Sequence, residues 1–189
     1  MEEMIDVLDE YTGNLTGKVI SKNEAHKTGK WHGSIHILIV NKDGTKTLLQ
    51  KRCAQKKLYP NMWDIAVGGH ISSGETALLS AQRELQEELG IDIRNFNIEA
   101  VDRIKEQLIN NGVISNEFVT IYLVRGDIDI SKIKLQDDEV SEAKWCSKEE
   151  LDYLISNKLI IPHVREYEIL DELLSNKEIK KLKKYNSMI

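Results

Sequence analysis

Glu84, Glu87 and Glu88 stand at i, i+3 and i+4 within Arg83-Glu84-Leu85-Gln86-Glu87-Glu88-Leu89-Gly90-Ile91. On a helix that spacing sets three carboxylates along one arc of surface. Like charges so placed repel by about 0.2–0.5 kcal/mol per pair on an exposed helix, and by more in a cleft, so a cation belongs among them. Carboxylate oxygens favour hard divalent ions, and Mg2+ or Mn2+ with an incomplete shell also takes phosphate oxygens. The chemistry these residues suit is therefore chemistry on a diphosphate.

Such carboxylates need a helix held by its other edge. Leu78, Ala81, Leu85 and Leu89 supply an apolar stripe beside the acidic arc, which predicts a helix packed on a core along one side. Gly90 suits the left-handed position just beyond the helix end. Ahead of the helix, Gly68-Gly69 and Gly74 let a loop turn sharply and bring backbone groups close to an ion or ligand.

Gly69, five residues, Glu75, seven residues and then Arg83 to Ile91 resemble a complete Nudix box spanning residues 69–91. The resemblance implies an α/β fold, the Nudix α/β/α sandwich of mixed β-sheet with the box helix on one side. It implies that Glu84, Glu87 and Glu88, helped by a backbone carbonyl at Gly68 or Gly69, hold Mg2+ or Mn2+ across a diphosphate. The ion withdraws charge from phosphorus, and water then cleaves the phosphoanhydride. Arg83 is expected to pair with Glu87 or Glu75 and so orient the carboxylates. Family members draw the general base from the box, where Glu84 is the candidate, or from a later strand, where it is Glu117.

Lys51-Arg52 and Lys56-Lys57 bring four cations into seven residues ahead of Tyr59-Pro60-Asn61-Met62-Trp63. By composition this is a solvated basic turn. Arg52, Lys56, Pro60 and Trp63 also resemble the pattern of the Nudix branch that includes type I isopentenyl-diphosphate isomerase and its hydrolase cousins, where the Arg and Lys hold a diphosphate. In the same branch His26, His32, His70 and Glu117 fall where the isomerase keeps ligands of a tight metal site, though the gap from His26 to His32 is one residue short. The three histidines are thus a candidate second metal site. The isomerase also needs a cysteine near Ala66-Val67 and a second strand glutamate, where this chain offers no thiol and Val119. Without that acid/base pair allylic isomerisation loses its chemistry, whereas hydrolysis does not need it.

The expected function is a metal-dependent Nudix hydrolase of a phosphoanhydride in a nucleoside diphosphate linked to another moiety. The alternatives are isopentenyl-diphosphate isomerase and a non-catalytic nucleotide-sensing module, the latter disfavoured by a whole box. Trp31, Tyr59 and Trp63 are candidates to stack on a base and equally candidates for packing.

Around the box, Ile5–Leu8 and Gly17–Ile20 flank Thr12-Gly13-Asn14 as an N-terminal hairpin, and Ser21 to Glu24 has the form of a capping box opening a short helix. Residues 31–40 and 47–52 read as two strands that pair across Asn41 to Gly44. Residues 98–104 and 117–124 alternate as strands around Asn110-Asn111-Gly112, residues 137–145 lead into an edge strand, and Ser147 caps a helix through about Ile155. Pro162 opens a last helical extension, about 162–184, with Val164, Tyr167, Leu170, Leu173 and Leu174 at helical spacing.

The 189 residues, 41% hydrophobic and 30% charged, suit one domain over 1–189 with a core at about 30–155. A net charge of −5 without a basic block carries no footprint for a nucleic-acid polymer. Cys53 and Cys146, far apart and alone, argue against a disulfide scaffold, and the acidic start does not read as a signal peptide. No apolar run reaches membrane length, so the expectation is a cytoplasmic protein whose partner is a small diphosphate, with a homodimer left open.

Overall fold

The computed structural model describes residues 2–175. Its centre is β3 (Trp31–Val40), whose alternation splits the interior into two layers. Ile35, Ile37 and Ile39 face one layer, while His32, Ser34, His36, Leu38 and Val40 occupy the other set of alternate positions. A strand buried on both faces needs neighbours on both edges. β3 runs parallel to β8 (Val113–Arg125) from Trp31↔Asn116 to Val40↔Arg125, and antiparallel to β6 (Val67–His70).

The sheet is mixed. β8 forms a hairpin with β7 (Ile98–Asn110) across Asn111-Gly112, both with positive φ (49° and 75°), the pairing that a two-residue turn favours. This hairpin is longer than its alternation predicts, because both strands continue to the turn. β1 (Met4–Leu8) and β2 (Leu15–Ser21) make the expected N-terminal hairpin, and β1 adds to β3. β4 (Lys46–Arg52) departs from expectation. It meets β3 only at Val40↔Thr47 and instead pairs along its length with β9 (Val140–Ser147) and with the short β5 (Trp63–Asp64). The physical reason is competition for one edge, since β6 already satisfies β3 from Ser34 to Ile37.

Helices cover both faces. α2 (Ala77–Leu89) is capped by Thr76, whose side chain accepts from Leu79 N–H, and it ends at Gly90 with φ 66°. Its buried stripe runs Ala77, Ala81, Leu85, Leu89 against Ile35, Ile37 and Ile39. Leu78 was expected in that stripe but lies about 100° further round the helix from Ala77 and is exposed. On the opposite face α3 (Lys148–Ser156) and α4 (Val164–Leu174) pack Leu151, Leu154, Leu170, Leu173 and Leu174 against Leu38, Val40, Val119 and Ile121. Ser147 and Glu150 close the capping box predicted for α3. α1 (Lys22–Thr28), capped by Ser21, sits beside β8. The part of the predicted C-terminal extension beyond residue 175 lies outside the described residues. Among the described residues no helix is long and apolar enough to cross a membrane.

Candidate active site

Two layers with helices on both faces meet at β6, where Gly68 and Gly69 have no side chains to separate them. A Cβ on Gly69 would collide with Glu84, lying within 2.5 Å of its Cγ, so the glycine is what lets α2 bring this carboxylate against the strand. Gly68 pairs with His36 of β3 from the other layer. A cavity of about 760 Å³ opens there, and its wall includes Gly69, Glu84, Glu87, Glu88, Arg52 and Lys56, together with His26, His70 and Glu117. Residues as far apart in the chain as His26 and Glu117 thus share one space.

The box folds around Arg83. Its guanidinium donates to Glu75 (3.1 Å), Glu84 Oε1 (2.7 Å), Glu87 Oε2 (3.2 Å) and the carbonyl of His70 (3.2 Å). The expectation of a partner in Glu87 or Glu75 understates it, since Arg83 holds both and joins α2 to β6. Burial acts to lower the pKa of Arg83, but Glu75 and Glu84 outweigh it and raise it. Glu88 is buried and accepts from Gln50 Nε2 at 3.0 Å. Burial, and then the charge of Glu84, push its carboxyl up to about 8, and burial raises Glu84 as well. Carboxyls that burial and mutual repulsion push toward protonation form a site short of positive charge, which fits the divalent cations that the Nudix family generally needs.

The cations of the sequence divide. Arg52 donates Nε–H to the carbonyl of Leu58 (3.0 Å) and lies 3.4 Å from Asp64, with its guanidinium on the cavity. Lys56 is ion-paired with Glu139, and burial, then the neighbouring Arg52 charge, lower it to about 8. Lys57 also lines the cavity, whereas Lys51 lies over the ring of Trp63.

The three histidines converge. His26 Nε2 is 3.2 Å from His70 Nε2, and His32 Nε2 and His70 Nε2 are each 3.7 Å from Glu117 Oε1. One ligand atom from each of these four residues lies within 4.8 Å of the others. His32 Nδ1 faces the carbonyl of Lys30 at 2.8 Å, which fixes its proton there and leaves Nε2 buried without a hydrogen-bond partner. An orphaned imidazole nitrogen aimed at two others and a carboxylate fits a transition metal. Burial acts to raise Glu117, but His32 and His70 hold it well below the ordinary carboxylate range. Ser115 is hydrogen-bonded to Glu117 and lies 3.3 Å from His26, so it is the strand residue two from Glu117 that reaches the cluster, while Val119 is buried in the core.

Other expectations separate from the site. Trp31 packs on Phe118 under Lys105, Trp63 carries Lys144, and Tyr59 lines an apolar groove beside α4, so none of the three aromatics lines the cavity. Sequence reasoning missed His36, Asp64, Glu106 and His163, which all line it. The available signal was the period of two in β3, where His32, Ser34 and His36 interrupt an apolar strand on one face.

Residues 30–166 match the NUDIX domain family model, and the chain belongs to that family. It is a Nudix-family hydrolase. It is 38% identical over 160 residues to an uncharacterised Nudix hydrolase of Clostridium acetobutylicum, covering 84% of this chain and 76% of that one. Nudix hydrolase 3 of Arabidopsis thaliana is 37% identical over 161 residues, 83% of this chain but 21% of the far longer plant protein. An isopentenyl-diphosphate Delta-isomerase of Photorhabdus laumondii is 31% identical over 157 residues, 83% of this chain and 84% of that one, which bears out the isomerase-like branch. Among solved structures, DR0079 of Deinococcus radiodurans shares the fold with a TM-score of 0.70 at 20% identity, over 90% of this chain and 99% of that one.

Proposed function

We propose that this chain hydrolyses a phosphoanhydride bond in a nucleoside diphosphate linked to another moiety, with Mg2+ or Mn2+ held by Glu84, Glu87, Glu88 and the carbonyl of Gly69. The observation that carries this reading is the common cavity, whose wall carries the complete acidic box together with Arg52 and Lys56. A bound divalent ion supplies Lewis-acid withdrawal of charge from phosphorus. Arg52 and Lys56 bind the diphosphate, the first by a planar fork and the second as a point charge. Glu139 holds Lys56 until an anion competes for it. Arg83 positions Glu84 and Glu87 by pairing with both.

Water attacks phosphorus and the anhydride P–O bond breaks, with the leaving phosphate retaining the bonding pair. Of the two candidate bases, Glu84 is the better supported. Its pKa is raised by burial, and its Oε2 is free of Arg83 to accept the proton of the attacking water. Glu117, held low by imidazoles, serves better as a ligand of the three-histidine site with His26, His32 and His70.

That histidine site favours a second reading, isopentenyl-diphosphate isomerase. The thiols count against it. Cys53 and Cys146 are buried at hydrogen-bonding distance of backbone carbonyls and neither lines the cavity, and Ala66 and Val67 are core residues.

A panel of nucleoside triphosphates, nucleotide sugars, dinucleotides and prenyl diphosphates, each with Mg2+ and with Mn2+, separates the readings. Hydrolysis is expected, scored as orthophosphate or nucleotide product, and Glu87→Gln and Glu88→Gln are expected to abolish it with the fold intact. A prenyl isomer without phosphate release establishes the second reading instead. Binding without any product establishes a sensing module.

A further inference from the structure

In the same cavity as the box stands a group of ionisable residues that the proposed hydrolysis leaves unused. Glu106 of β7 lies directly opposite Glu117 of β8 in the antiparallel ladder, an arrangement in which like charges repel. His163 answers only part of that charge. Its Nδ1 is 2.8 Å from Glu106 Oε1 and its Nε2 is 3.0 Å from Asp64 Oδ1, so both nitrogens donate to carboxylates and the ring is an imidazolium. The other oxygen of Glu106 is buried with no hydrogen-bond partner.

His36 faces the same place. It is 5% exposed, and its Nδ1 lies 2.6 Å from Glu166 Oε1 of α4. Its Nε2 makes no hydrogen bond, and because its strand partner Gly68 has no side chain that nitrogen is open to the cavity. One ligand atom from each of His36, Glu106 and Glu117 lies within 4.8 Å of the others. His36, His163 and Glu166 are equally close together, but both nitrogens of His163 are committed to carboxylates, which removes it as a ligand.

We propose that His36, Glu106 and Glu117 hold a further divalent transition-metal ion beside the three-histidine site, with Glu117 bridging the two ions. Mixed imidazole and carboxylate donors suit Mn2+ or Zn2+. The surrounding contacts are those a metal site uses to fix its ligands. A ligating histidine gives its other N–H to a carboxylate, as His36 does to Glu166, and a ligating carboxylate is itself hydrogen-bonded, as Glu106 is by His163. The ion satisfies the orphaned Glu106 oxygen and the open His36 nitrogen together, and it relieves the repulsion between Glu106 and Glu117.

This inference rests on the proposed ion at His26, His32, His70 and Glu117, and the test tells the two apart. Chelator-stripped full-length protein is titrated with Mn2+ and followed by electron paramagnetic resonance, which counts free ion and detects coupling between ions about 3.5–4 Å apart. Wild type is expected to bind about one ion per chain more than Glu106→Gln and than His36→Gln, and to show a coupled spectrum that both variants lack. Box-bound ions contribute equally to every variant. Loss of an ion in His32→Gln, with none lost in Glu106→Gln or His36→Gln and no coupling in wild type, overturns this inference alone. Loss in none of the three overturns the histidine site as well. Glu106→Gln keeps an oxygen to accept from His163, so it is expected to stay folded with a single cooperative melt, and it decides the matter if His36→Gln fails to fold.

Discussion

Gly69 controls how near Glu84 comes to β6, because any side chain there would occupy the carboxylate's place. Gly69→Ala is therefore expected to keep the fold yet cost on the order of 100-fold in metal-dependent turnover, the scale that a misplacement of about 1 Å commands. Steady-state kinetics beside a thermal melt check it. Arg83 acts through others. Its fork reaches Glu75, Glu84 and Glu87 at once, which a lysine point charge cannot reproduce. Arg83→Lys should lower kcat by about 10–100-fold, the range for residues that orient metal ligands, and leave KM for substrate nearly unchanged. A rise in KM with constant kcat would instead assign Arg83 to substrate binding.

At the scale of elements, local chemistry sets the ends and tertiary pairing sets the neighbours. The cap of α2 at Thr76, its stop at Gly90 and the capping box of α3 follow from residue types within one turn. Ser147→Ala is expected to cost about 1 kcal/mol, seen as a lower Tm, with activity unchanged because α3 contributes no residue to the cavity wall. Strand partners follow a different rule. Nothing within residues 46–52 announces that β4 prefers β9 to β3, since that choice depends on β6 having taken the shared edge.

For the whole molecule, the buried network between β5, β7 and α4 ties distant segments together by charge. Burial acts to lower His163, but Asp64 and Glu106 raise it well above 6.5, while burial acts to raise Asp64, which His163 holds below 3.8. A raised histidine stabilises fully below its unfolded pKa and loses that contribution as pH rises through the folded value. A lowered carboxyl stabilises fully above its unfolded pKa and loses it as pH falls through the folded one. In metal-free protein the pair should thus stabilise most between about pH 4 and 6.5, with the His163 contribution declining above that at up to about 1.4 kcal/mol per pH unit. Thermal melts against pH for wild type and His163→Asn test this, and an unchanged profile in the variant would refute it. The sequence by itself determined the box, its helix and caps, and the family, because these depend on residue type and short spacing, and it singled out Arg52 and Lys56, which line the cavity. Only the tertiary structure decided that His36, Asp64, Glu106 and His163 join the site, that Trp31, Tyr59 and Trp63 stand apart from it, and that β4 leaves β3. Those outcomes depend on which strands lie side by side, and strand order is settled by competition among edges and burial across the whole chain.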